Sequence, residues 1–104
     1  MLYANHPKVQ HFLTLWHENG RASFKRRYRN LDYEAEAYRK FARDRKKYIA
    51  LDDGPSGIFL VDRQTEEVWS IKAYGVPKRT LGTLDALIAT YTEANEQNRM
   101  IHPN

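Results

Sequence analysis

The chain has 104 residues, 41% of them hydrophobic and 12% aromatic, with a formal net charge of +4 and no cysteine. That is the length of one domain, enough to bury roughly 65% of the surface its unfolded chain exposes. Without a thiol, a disulfide framework, a thiolate zinc site and a cysteine nucleophile are all excluded, and the absence of a signal-peptide pattern or of a run of about 18 apolar residues leads us to expect a soluble, cytoplasmic protein without membrane contact.

In chain order, Val9, Phe12, Leu13 and Trp16 recur at helical spacing, with Asn5 and Pro7 as start signals and Gly20 as a stop, which predicts a helix over about 6–18. A second helix is predicted over about 22–29, broken at Asn30-Leu31-Asp32, and a third over about 33–47. On the third, Tyr33, Ala35, Ala37, Tyr38, Phe41 and Ala42 share an apolar arc and Arg39, Lys40, Arg43, Lys46 and Lys47 lie opposite. Asp32, Glu34 and Glu36 in its first turns and the cations in its last also suit the helix dipole. The period then changes. Strands are predicted over about 48–52, 57–62 and 67–73, joined by the turn residues DDGPSG and by RQTE; Trp69, Ile71 and Ala73 alternate with Ser70 and Lys72, putting one face on a core. The stretch YGVPKRTLG reads as a loop, and Thr83 as the N-cap of a last helix over about 84–97 whose Leu84, Leu87, Ile88, Tyr91 and Ala94 share a face. The expected fold is a single α+β domain: N-terminal helices, a three-stranded antiparallel meander and a C-terminal helix packed on the sheet.

The charge is segregated. Residues 21–48 hold eleven Lys or Arg against four acids, and the remainder holds six against nine, the asymmetry of a protein with one anionic partner. Lys25, Arg26, Arg27, Arg29, Arg39, Lys40, Arg43, Lys46 and Lys47 are the candidate binding residues: such cations displace counterions from a polynucleotide, and a neighbouring tyrosine can stack on an unpaired base. The bland alternative is a solvated helix face with Glu36 and Lys40 as an i,i+4 pair. Lys72, Lys78 and Arg79 form a possible second contact, the last two preceding a glycine and a helix N-terminus that could hold a phosphate.

Catalytic and metal chemistry finds little purchase. His6, His11, His17 and His102 lack the i,i+4 spacing of a helical zinc site, DDGPSG lacks the ligand pattern of a calcium loop, and Ser23, Ser56 and Ser70 lie in no nucleophile elbow. No cofactor, metal or enzymatic activity is expected.

The run SGIFLVDRQTEEVWSIKAYGVPKRTLGTLD, about residues 56–85, resembles small uncharacterised proteins of bacteriophages and mobile elements. That resemblance implies a phage or prophage origin and action by binding a host component, including as an inhibitor of defence. Separately, TLGTLDALIATYTEAN, residues 80–95, is similar to the end of the apetala-type DNA-binding domain, in which arginines and tryptophans on a three-stranded sheet read the major groove; the strands here offer Trp69, Lys72 and Arg79, and Leu84 stands where that family has an aromatic residue. The expected function is a phage-type protein that contacts nucleic acid or a nucleoprotein through the basic segment. The rival is an inhibitor of a host factor, docking on an acidic protein surface.

Overall fold

The computed structural model describes residues 1–20 and 40–101. Among them are two helices, α1 (Pro7–Asn19) and α2 (Leu84–Glu96), and five strands, β1 (Lys40–Asp44), β2 (Tyr48–Asp53), β3 (Ser56–Asp62), β4 (Glu67–Ala73) and β5 (Val76–Thr83). The strands form one antiparallel sheet in the order β1-β2-β3-β4-β5. The α+β class is as the patterning predicts, but the meander has five strands rather than three, and among the described residues the N-terminal part carries one helix, α1. The predicted helix over 22–29 and the 33–39 part of the third lie outside the described residues.

The α1 cap is built by His6, whose Nδ1 accepts the Lys8 amide at 3.0 Å, with Pro7 in the first turn where its missing N–H costs nothing. Thr83 caps α2 by accepting from the Ala86 amide at 3.2 Å. Where the helices end, Asn19 is buried but satisfied: its amide donates to Asn95 Oδ1 and to the Arg99 carbonyl, and its Oδ1 accepts from the Ile101 amide.

Register assigns the two faces of the sheet. The rows Ala42–Leu51–Phe59–Ser70 and Asp44–Ile49–Val61–Val68–Gly82 carry Ile49, Leu51, Phe59, Val61 and Val68, which cluster with Val9, Phe12, Leu13 and Trp16 of α1 and Leu84 and Tyr91 of α2. Phe12 meets Phe59 and Tyr91 edge-on, with centroids 5.6 and 5.1 Å apart, the geometry that aromatic quadrupoles favour. The intervening row Arg43–Ala50–Leu60–Trp69–Thr80 faces away from the helices.

Two departures from the sequence reading have physical causes. Residues 40–44 form β1 instead of the end of a helix to 47. Ala50, Leu51 and Asp52 are buried on both faces of β2, the mark of an interior strand, whose second edge needs a partner for its backbone groups. Lys40–Asp44 supplies that partner in unbroken register. VPKRTLGT, which reads as a loop, is edge strand β5; Pro77 is tolerated at an edge, and three register shifts against β4, with Gly82 at φ +112°, absorb the irregular spacing that hides the strand.

Candidate nucleic-acid interface

Turn geometry gathers cations at one end of the sheet. The β1–β2 turn closes when the Arg45 amide donates to the Tyr48 carbonyl at 2.9 Å, which leaves Arg45, Lys46 and Lys47 exposed at its tip. Antiparallel order brings the β3–β4 turn to the same end. There Asp62 Oδ1 accepts the Gln64 and Thr65 amides at 2.8 and 3.0 Å, and these hydrogen bonds, Thr65's foremost, hold the Asp62 carboxyl below the usual range, with Lys47 nearby adding to the effect.

Arg63 ties the two turns together. Its Nη1 donates to the Arg45 carbonyl at 2.6 Å, its Nε to the Leu2 carbonyl at 3.1 Å, and the Leu2 amide donates back to the Arg63 carbonyl at 2.8 Å. Leu2, only 3% exposed, anchors the N-terminal segment in the core. The guanidinium lies 4.6 Å from the centroid of the Tyr3 ring. Between the two turns is a cavity of about 250 Å³ lined by Met1, Lys46, Lys47, Asp62, Arg63 and Gln64.

Three acids at this end are already engaged. Asp44 accepts the Ala4 amide, Asp62 accepts turn amides, and Glu66 binds Lys8 at 2.6 Å. That contact and Asp85 raise the Lys8 pKa, the Glu66 hydrogen bond contributing most. Among the described residues, Arg45, Lys46 and Lys47 make no ion pair within 4.0 Å. Their charge is therefore available to an external anion.

A second feature lies on the sheet face turned from the helices. Tyr74, at the tip of the β4–β5 hairpin, folds back so that its ring rests on Gly57, where an added Cβ would stand 2.9 Å from Cδ2. Its hydroxyl donates to Asp52 Oδ2 at 3.0 Å, and Arg43 Nε approaches the same oxygen at 3.4 Å. The Arg45 guanidinium stacks 4.8 Å from the Tyr74 centroid and that of Arg43 4.9 Å from the Phe41 centroid, so cations and rings alternate across the face.

The predicted binding residues thus divide. Lys46 and Lys47 come together at the turn tip. Arg43 lies on the adjoining face, held by Asp52. Lys40 is committed to the fold: its ammonium lies 3.8 Å from Asp53 and 5.1 Å from the Trp16 centroid, with its side chain 15% exposed. Lys72, Lys78 and Arg79 are exposed on β4 and β5, and β5 is the edge opposite β1, roughly 19 Å away at about 4.8 Å per strand step. The α2 N-terminus already has Thr83 as its cap and Asp85 in its first turn. Lys25, Arg26, Arg27, Arg29 and Arg39 lie outside the described residues. Sequence reasoning leaves out Arg45, Arg63 and Tyr74; the only signal for Arg45 is its place in the basic run, and for Tyr74 the neighbouring Gly75, whose φ of +79° makes the tight turn.

Among the described residues no group of three or more His, Asp or Glu could hold a metal ion, and no helix is long and apolar enough to cross a membrane. Comparison with protein-family models, with curated proteins and with solved structures finds no match to the chain.

Proposed function

We propose that the protein is a small non-enzymatic binding protein that contacts nucleic acid, single strands foremost, and that it grips the strand through the cations of the β1–β2 turn. The observation that supports this reading best is the set Arg45, Lys46 and Lys47, exposed and unpaired with any described acid beside tyrosines. Lys47 lies 5.4 Å from the Tyr48 centroid, and Tyr3 and Tyr74, 48% and 44% exposed, each lie under an arginine. Cations that track a backbone beside rings on which bases stack make a sequence-tolerant grip on an unpaired strand. Arg43, and more distantly Lys72, Lys78 and Arg79, extend the positive field.

Fluorescence-anisotropy titration with single-stranded DNA, duplex DNA and duplex RNA from about 50 to 200 mM salt tests it, the range in which counterion release is resolved. Tightest binding to the single strand, with a steep salt slope, supports the reading. Failure to bind any of the three at low salt contradicts it and favours the rival reading, an acidic host protein met by the exposed Tyr74 and Arg45, residue types among which interface anchors are common.

A further inference from the structure

We propose that the cavity between the β1–β2 and β3–β4 turns seats a terminal phosphomonoester, the phosphate at the end of a nucleic-acid strand; the proposal rests on the nucleic-acid reading above and gives it a polarity. Three cationic side chains and one carboxylate line the cavity. The carboxylate, Asp62, has Oδ1 occupied by two backbone amides and Lys47 beside it, so the balance of the wall is positive. Its volume of about 250 Å³ admits a phosphate group and part of the attached sugar.

The cations differ in kind. Lys46 and Lys47 are flexible point charges. Arg63 is already fixed: Nε and Nη1 are spent on the carbonyls of Leu2 and Arg45, while Nη2 makes no hydrogen bond among the described residues. A fixed guanidinium with an unused edge loses little freedom on meeting an oxyanion. An internal phosphodiester carries one charge and lies along a surface. A terminal monoester carries about −1.5 to −2 and presents three acceptor oxygens, a match for two ammonium groups and one guanidinium edge around a concavity.

The aromatic neighbour points to a strand end rather than a free phosphate ion. Tyr3, 48% exposed, does not itself line the cavity but stacks on Arg63, which does. A terminal nucleotide would place its phosphate among the cations and its base on that ring.

The test is anisotropy at about 100 mM salt with short single-stranded oligonucleotides of one sequence bearing a 5′ phosphate, a 3′ phosphate or hydroxyls at both ends. One phosphorylated form is expected to bind about tenfold tighter than the hydroxyl form, the scale of one added charge-assisted hydrogen bond. Lys46→Gln, which disturbs no intramolecular contact, should erase that gain and leave weaker binding of the hydroxyl form. Equal affinity for all three oligonucleotides, with salt-dependent binding retained, overturns the pocket and leaves the nucleic-acid reading standing; no binding of any overturns both. Inorganic phosphate that binds as tightly as the phosphorylated strand overturns the strand-end assignment.

Discussion

The Tyr74 hydroxyl reaches Asp52 Oδ2 at 3.0 Å because the residue beneath the ring, Gly57, has no side chain. Asp52 is 2% exposed. Its Oδ2 is met by Tyr74 and Arg43, and its Oδ1 is buried without a hydrogen-bond partner among the described residues. Three strands thus depend on one close approach: β2 supplies the carboxylate, β3 the space, and the end of β4 the phenol.

Gly57→Ala should therefore destabilise the protein by about 1–3 kcal/mol, the usual cost of overpacking, since the new methyl would meet Tyr74 Cδ2 at 2.9 Å and Ile71 Cδ1 at 3.1 Å. Urea denaturation of the single variant and of the same change in a Tyr74→Ala background checks the cause. The cost should fall by at least half when the ring is gone, and an unchanged cost would point to a backbone effect at position 57.

Ser70 offers the opposite case. The residue is 2% exposed on the helix-facing side of the sheet, in register with Phe59, and its hydroxyl has no hydrogen-bond partner among the described residues. Ser70→Ala removes a buried polar atom that gains nothing from its position. Stability should stay level or rise by up to about 1 kcal/mol, read as an increased urea midpoint at constant slope.

How much of this was legible in the sequence depends on whether local pattern and tertiary demand agree. For α1 they agree: Val9, Phe12, Leu13 and Trp16 are helically spaced and all face the core. For Lys40–Asp44 they conflict. Phe41 and Ala42 complete a helical arc, and the cations that follow suit a helix C-terminus, but the unsatisfied edge of β2 decides the outcome, and that need is nonlocal. β5 is obscured by Pro77, Gly82 and its bulges. At the candidate site the charge of Lys46 and Lys47 is plain from composition. The role of Arg63 is not, because the carbonyls of Leu2 and Arg45 reach it only through the fold.

Acid should loosen the β3–β4 turn. The folded Asp62 carboxyl has a lowered pKa, chiefly through the Thr65 amide, so it binds a proton less readily than in the unfolded chain. Its contribution to stability is complete above the ordinary carboxylate value of about 4 and is lost as pH falls through the lower folded value. Urea midpoints measured from pH 6 downward should drop more steeply for the wild type than for Asp62→Asn. Parallel curves would remove Asp62 from the account.

Alkali acts on the other side of the sheet. Burial pushes the Tyr91 phenol up to about 12, since the phenolate would have to form inside the core. The unfolded chain ionises this group near 10, so stability present below that pH is lost as pH rises from about 10 to 12, by roughly 2–3 kcal/mol in all. Tyr91→Phe should flatten that part of the pH–stability curve.

The central claim, that the β1–β2 turn meets the nucleic acid, is tested most directly by following backbone amide resonances of the labelled protein during titration with a short single-stranded oligonucleotide. The account predicts shifts concentrated at the amides of residues 43–48 and 62–64 and of Tyr3 and Tyr74, all diminished by raising the salt. Shifts centred on Lys72, Lys78 and Arg79 instead, or none at saturating oligonucleotide, would contradict it.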